Sequence, residues 1–310
     1  MLTPAAGSIL AEFYERRGFP VYRTSGVFWT PFSKDSRFLM TIPEQVSVDQ
    51  PDDQLARLLS KKNLVAARYP TMERRGADSG FYVWRKKELS LSDLDRKLRN
   101  TVRRAQEQCR LRPLEASELL TQGLTLNLDT MGRQERANPE FGVEANWKRF
   151  VAAVYSTPGM SVTGAFVNDE LAAYSIECRA DNWWYGLYQN SRTSLLKSFA
   201  NQALDFYSLE RASLDPDTLG VLNSPVPLSP NPGLHDYKSK FGYEVSPYRL
   251  VIQLHPLLDP LVNSPLARRL LQGVHEVFPQ NRRVNQAARF WADTDWAGAP
   301  PRKAYSSAQS

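Results

Sequence analysis

Histidine and cysteine are scarce in this 310-residue chain, which has three of the first and two of the second. Two isolated thiols, Cys109 and Cys178, are too few for a disulfide scaffold, and with His235, His255 and His275 dispersed, no protein-built zinc or iron site is expected. A reducing compartment follows from the same count. No run of about 18 apolar residues occurs, so no membrane span is expected. The start MLTPAAGSILAEFYERR lacks the basic opening and long apolar stretch of a secretory leader. Together these absences predict a cytoplasmic protein. The chain also has no Gly-x-Ser-x-Gly elbow, P-loop, Gly-x-Gly-x-x-Gly turn or His-Glu-x-x-His pair, which removes the common hydrolase, nucleotide-binding and metalloprotease plans.

What is present suits a globular protein: 42% hydrophobic and 23% charged residues leave enough apolar material for a sizeable core. The length predicts two domain-sized units. The net charge of +6 is unevenly placed. Residues 1–73 carry +1, 74–112 carry +7, 113–262 carry −6 and 263–310 carry +4. Positive charge concentrated on one segment points to a local anion site rather than to a protein attracted to nucleic acid along its whole surface.

Residues 1–90 read as a small α/β unit. Strand-like runs at Val21–Phe32, Arg37–Ile42, Leu64–Tyr69 and Phe81–Arg85 are bounded by turn residues, with a short helix predicted over Pro51–Ser60. Over residues 92–109, Leu94, Leu98, Val102, Ala105 and Cys109 share one helical face, and Ser92 with Asp95 forms a capping-box pattern. Arg96, Arg99, Arg103 and Arg110 cluster on the opposite face. Such a stripe is either a solvated surface or, because guanidinium forks match phosphate and carboxylate oxygens, a binding site for an anionic partner.

Two helical stretches, about 115–136 and 144–156, then precede three strands, Ser161–Val167, Leu171–Cys178 and Trp183–Tyr188. A helix at Thr193–Arg211, a strand near Leu219–Leu222, a brief helix at Gly233–Phe241 and a strand at Tyr248–Leu254 follow. Hairpins first and helical crossovers later predict a mixed sheet. Beyond residue 256, Leu266, Leu270, Leu271, Val274, Val277 and Phe278 form an apolar stripe among Arg268, Arg269, Arg282 and Arg283. Packing of this stripe against the body is predicted, with peripheral contact to an anionic inner-membrane surface as the alternative. The last dozen residues read as a loose tail.

Three pieces of the sequence carry a resemblance: Leu94-Asp95-Arg96-Lys97-Leu98-Arg99-Asn100-Thr101-Val102-Arg103-Arg104-Ala105, the element order of residues 115–254, and Gly233-Leu234-His235-Asp236-Tyr237-Lys238-Ser239-Lys240-Phe241-Gly242. On these the chain resembles the GNAT-fold acyltransferases, and within them the FemAB-type branch and its relatives in bacterial polysaccharide clusters. The resemblance implies an α/β (α+β) fold with a GNAT-like mixed sheet over 91–256. It also implies a smaller, degenerate GNAT-like unit in 1–90 and a C-terminal helix and tail in 257–310.

The implied reaction is transfer of an acyl group to an amino or hydroxyl group of a sugar, peptide or lipid-linked envelope precursor. The donor would be an acyl-CoA or, in the FemAB manner, an aminoacyl-tRNA, with no permanently bound cofactor. In the GNAT plan the donor pyrophosphate rests on the N-terminus of the helix after the fourth strand. That places donor contacts at Gln189, Asn190, Ser191, Arg192 and Thr193, where Arg192 and Ser194 replace the small residues of the usual loop. Lys238 is implied at the active site, polarising the carbonyl. His235 is a candidate base, and Glu177 and Tyr188 are candidate acid or base residues on central strands. Arg99, Arg103, Arg104 and Lys240 are candidate contacts to an anionic donor or acceptor. A non-catalytic phosphate- or RNA-binding protein of the same fold is the alternative, with nucleic acid as a partner there or where the donor is aminoacyl-tRNA.

Overall fold

The computed structural model describes residues 4–48, 53–135, 138–227 and 232–277. The N-terminal half contains α1 (Pro4–Arg16), β1 (Tyr22–Thr24), β2 (Val27–Pro31), β3 (Phe38–Ile42), α2 (Asp53–Lys61), β4 (Ala66–Thr71) and β5 (Ala77–Arg85). Next come α3 (Arg96–Gln108), β6 (Arg110–Pro113), α4 (Ala116–Glu118), α5 (Leu124–Arg133), α6 (Pro139–Gly142) and α7 (Glu144–Ser156). The remainder is β7 (Met160–Val167), β8 (Glu170–Ala180), β9 (Trp183–Ser191), α8 (Ala200–Leu214), β10 (Gly220–Pro225), α9 (Pro232–Lys240), β11 (Glu244–Leu254), α10 (Asp259–Val262) and α11 (Pro265–Val277).

All eleven strands lie in one mixed sheet, in the order β1-β2-β3-β4-β11-β5-β10-β9-β8-β7-β6. Only β3 with β4 and β9 with β10 run parallel. The strand β11 is inserted between β4 and β5 and pairs antiparallel with both, so the N-terminal and C-terminal halves share backbone hydrogen bonds. Gly220 opens β10 at φ +144, and a Cβ there would meet the Trp84 carbonyl oxygen at 2.0 Å. Glycine alone allows β10 to approach β5 so closely at this point.

Helices cover both faces. On one, α1, α5 and α7 bury Phe13, Trp147 and Phe150 with Tyr174 and Ile176 of the sheet. Trp147 and Phe150 stack at 5.2 Å and 13°. On the other face, Leu98 and Val102 of α3 pack with Phe206 and Leu209 of α8 and with Phe241. Alternation along the strands feeds both cores: Tyr185 enters a cluster with Leu10 and Ile42, whereas Trp184 packs on the α8 side.

Several local expectations shift. The helix α1 replaces an unassigned start. The capping box belongs to Ser90 and Asp93, around a 3-10 turn at Leu91–Asp93, and Asp95 is itself the N-cap of α3, accepting from the N–H groups of Lys97 and Leu98. The helix predicted from Thr193 is a 3-10 turn at Thr193–Ser198 that breaks at Phe199, whose φ is +58, before α8 begins. The C-terminal stripe does not pack on the body. Leu266, Leu270 and Val277 of α11 are each more than 60% exposed, while among the described residues of this segment Val262 of α10 packs at Ala66, Ile252 and Leu254. Leu271 and Phe278 of the predicted stripe lie outside the described side chains and residues.

A bidentate pair ties the end of β8 to the end of α8: Arg179 donates to both Asp215 carboxylate oxygens, at 2.7 and 3.2 Å. Those hydrogen bonds hold the Asp215 carboxyl down at about 2. Because the folded value is depressed, the pair stabilises the protein above the unfolded carboxylate range and is lost as pH falls from about 4 towards 2. Denaturant titrations through that window should show stability falling with acid, and Asp215→Asn should flatten the slope.

Candidate functional site

The parallel pairing of β9 with β10 is brief, running from Trp183–Gly220 to Tyr185–Leu222. Beyond it the two strands part, β9 continuing along β8 to Ser191 and β10 continuing beside β5. A register shift between Ile176 and Glu177 marks a bulge in β9 at this point, with Gly186 opposite Glu177 and Tyr188 opposite Ile176. Bulges re-aim side chains near functional sites. Here Leu187 and Tyr188 both join clusters on the α1 and α7 side. Gly186 has no side chain and lies under Asn223, whose Nδ2 would be 2.9 Å from an added Cβ.

On the α8 side of the parting sits Lys238. The sequence Gly233–Gly242 covers most of α9 and the turn that follows it, and Lys238 is the buried position of the helix, only 5% exposed. Its Nζ lies 3.5 Å from Oδ1 of Asp205 on α8 and 4.8 Å from the Tyr243 ring centroid. The other Asp205 oxygen accepts the Tyr237 hydroxyl. Burial, with Asp205 next, pushes the Tyr237 phenol well above its usual value, and burial does the same to Tyr243, which also bonds Asn223. Both phenols therefore stay protonated at neutral pH. The Lys238 ion pair is longer than a charge-assisted hydrogen bond of about 2.7–2.9 Å, which leaves its N–H donors available to a third group.

On the α1 and α7 side is a cavity of about 320 Å³ lined by Tyr14, Arg17, Lys34, Glu44, Glu140 and Tyr188, among others. Arg17, at the end of α1, is 4% exposed and surrounded by the rings of Phe13, Tyr14, Phe19 and Phe150, all within about 5 Å. It donates to the Tyr188 hydroxyl at 3.1 Å and to Glu140 at 3.4 Å, and its buried Nε has no partner. Lys34 Nζ lies 3.6 Å from the second Glu140 oxygen. The wall reaches the parting of the strands through Gln45, next to Glu44, which donates to the Asn223 carbonyl at 3.1 Å.

The other sequence candidates are placed as follows. Glu177 is buried on the α8 side and held by Ser208 and Arg211. His235 is exposed in the first turn of α9, 6.1 Å from the Tyr82 ring. Lys240 points to solvent and pairs with Asp236 at 2.5 Å. Arg103 and Arg104 are exposed on α3, Arg104 over the Phe199 ring at 5.4 Å, and Arg99 reaches the Ser92 carbonyl at 3.4 Å. None of the α3 arginines lines the cavity.

The expected donor turn is filled by the protein's own groups. Gln189 donates to the Asn201 carbonyl, and Asn190 is buried against Asn127 and Tyr174. Arg192 is engaged by Glu170 at 3.1 Å and by the Leu171 carbonyl. The Thr193 N–H, the group a pyrophosphate would use, bonds the Asp129 carboxylate, and Arg133 donates to the Thr193 hydroxyl and the Ser191 carbonyl. The Ser191 N–H goes to the Thr130 hydroxyl. A carboxylate therefore occupies the anion position at this turn.

Among the described residues no group of three or more His, Cys, Asp or Glu side chains is arranged for a metal ion, and no helix is long and apolar enough to cross a membrane. Both cysteines are buried and free, and burial pushes the Cys178 thiol up to about 12. Neither is a competent nucleophile near neutrality.

Sequence reading missed Arg17, Lys34, Glu140, Asp205, Tyr243 and Asn223. A signal existed for the first, since Phe13, Tyr14 and Arg17 share a helical face, but Glu140 and Tyr188 reach it only through the fold.

No family model and no curated protein matches this sequence. Solved structures do. FemX superposes with a TM-score of 0.54 at 12% identity, covering 82% of this chain and 93% of its own. The C-terminal domain of a putative lysylphosphatidylglycerol synthetase from Agrobacterium fabrum gives 0.51 at 10%, covering 83% and 95%, and L-PGS from Bacillus licheniformis gives 0.50 at 12%, covering 82% and 93%. The fold is GNAT-like and of the FemAB type.

Proposed function

We propose that this chain is an acyl- or aminoacyl-transferase in which Lys238 serves the donor carbonyl and the Arg17–Tyr188 cavity holds the acceptor. The observation that carries the reading is the buried Lys238–Asp205–Tyr237 group at the parting of β9 and β10. An amine or hydroxyl attacking an ester or thioester carbonyl places negative charge on its oxygen, and a preorganised cation in a site with little water stabilises that charge. Asp205 keeps the cation in place, and Tyr237 fixes Asp205. No covalent enzyme intermediate is needed: the new bond forms as the donor's oxygen or sulfur leaves, and the acceptor's proton passes to a base or to that leaving group.

The donor is an aminoacyl ester, of the kind carried by tRNA, in preference to an acyl-CoA. Asp129 on the Thr193 N–H favours this, because a pyrophosphate there would meet a carboxylate. The lysyl group in the name of the Agrobacterium fabrum neighbour agrees with it. The exposed α3 arginines are available for phosphates of a long donor. The cavity lining carries both signs, Arg17 and Lys34 with Glu44 and Glu140, which suits an acceptor bearing an amine or hydroxyl together with an anionic group. A sugar, peptide or lipid-linked envelope precursor fits that description.

The test is a transfer assay with labelled aminoacyl-tRNA and labelled acyl-CoAs against fractionated envelope precursors. Label should move from the aminoacyl ester, and coenzyme A should not raise the melting temperature. Turnover with acetyl-CoA would overturn the donor assignment, and transfer from neither donor would overturn the enzyme reading. As a companion prediction, Asp129→Ala frees the Thr193 N–H and removes a like charge, so weak coenzyme A binding should emerge in the variant. Calorimetric titration of both proteins with coenzyme A checks this.

A further inference from the structure

The exposed apolar residues of the protein are not evenly scattered. Leu257, Leu261, Leu266, Leu270, Val274 and Val277 are 43–75% exposed and all fall within α10, α11 and the turn before them. In α11 the last four follow at steps of four, four and three, which places them in an arc of about 80° on one side of the helix. Arg269 is exposed and borders that arc. Isolated surface leucines need no explanation, but a continuous stripe of them along one side of a helix does. Just before this helix, Val262 of α10 packs on the core.

The geometry points to this stripe as a docking surface for an anionic lipid bilayer, with α11 lying in the interface, its aliphatic side facing the acyl chains and its arginines at the headgroups. Charge decides between occupants. Residues 263–310 carry seven basic and three acidic side chains, and Arg269 is the described one that borders the stripe. Facing a second copy, the same basic charge would oppose itself across a two-fold axis, at a cost in repulsion. Facing phosphatidylglycerol, each basic residue near the surface is attracted to the anionic headgroups. Six aliphatic side chains are a modest apolar footprint, so charge and burial must act together, and binding should be reversible and sensitive to salt. The inference does not rest on the transferase reading, since it uses none of the residues of the candidate site.

The experiment is flotation of the full-length protein with phosphatidylcholine vesicles with and without phosphatidylglycerol. Binding should require phosphatidylglycerol and weaken with salt. Leu266→Glu and Leu270→Glu should each lower partitioning about tenfold, and Arg269→Glu should lower it by a similar factor on anionic vesicles only. All three positions are exposed, so melting temperatures should stay near that of the parent chain, which separates lost docking from lost folding. Absence of binding to anionic vesicles overturns the proposal. So does equal binding by the leucine variants, or a dimer in sedimentation that Leu270→Glu dissolves, which would give the stripe to a second copy.

Discussion

Replacing Lys238 by Met should lower the rate of group transfer by about 10²–10³-fold while the KM for the acceptor changes little. The magnitude is that of removing one preorganised donor from a developing oxyanion. Lys238 is the cation placed for that role at the parting of β9 and β10: it is 5% exposed, and its one carboxylate partner is 3.5 Å away. The single variant carries a structural cost, because Asp205 is left buried with only the Tyr237 hydroxyl, and breaking a buried pair on one side costs about 3–5 kcal/mol. The double variant Lys238→Met, Asp205→Asn removes both charges together and should recover most of that stability without recovering activity. Rapid-mixing measurement of transfer, with melting temperatures alongside, separates the two effects. Full activity in the double variant would remove Lys238 from the mechanism.

The second large effect is expected at Arg17. Its guanidinium ties Tyr188 to Glu140, and its Nε is a buried donor without a partner in a residue that lines the cavity. A hydrogen bond to a charged group contributes about 1.5–3 kcal/mol, so Arg17→Met should raise the acceptor KM by roughly 10–100-fold. The turnover number at saturation should change far less, because the residue lies on the opposite face of the sheet from Lys238. Met preserves much of the volume enclosed by Phe13, Tyr14, Phe19 and Phe150, and Glu140 keeps Lys34 at 3.6 Å. Initial-rate kinetics over a range of acceptor concentration decide it: a fall in kcat with unchanged KM would make Arg17 structural for catalysis rather than a contact to the acceptor. Tyr188→Phe, which removes only the hydroxyl that Arg17 engages, should shift KM in the same direction by a smaller factor.

The charge pattern of the chain illustrates what could and could not be read in advance. The +7 segment was legible, and so was the amphipathic α3, since Leu98, Val102 and Ala105 are buried and Arg103 and Arg104 are not. Its arginines do not line the enclosed cavity, and their expected contact to an anionic donor or acceptor belongs to the proposed reading. Among the described residues the buried cations are Arg17 and Lys238, from the nearly neutral first segment and the acidic third one. A buried charge is chosen by its partners, and Glu140 lies 123 residues from Arg17 while Asp205 lies 33 residues from Lys238. Linear charge density therefore reported solvated surface, as it does wherever arginines outnumber nearby acids on an outer helix.

The donor turn shows the same limit more sharply. Its expected position at residues 189–193 was implied by the resemblance to the GNAT plan, and the replacement of that plan's small residues by Arg192 and Ser194 was visible. Occupation of the Thr193 N–H by Asp129 was not, because that contact spans 64 residues and depends on how α5 is laid against β9.

The sequence by itself determined the element types over most of the chain and the mixed sheet, since periodicity and turn chemistry are local properties of the backbone, while its resemblance to a known family marked the segment around Lys238. Tertiary structure alone decided that β11 threads between β4 and β5, that a bulge turns Tyr188 towards Arg17, and that the stripe on α11 faces outward. Each of these depends on which distant surfaces meet, and the free energy of such a meeting belongs to the pair of surfaces rather than to either stretch of sequence.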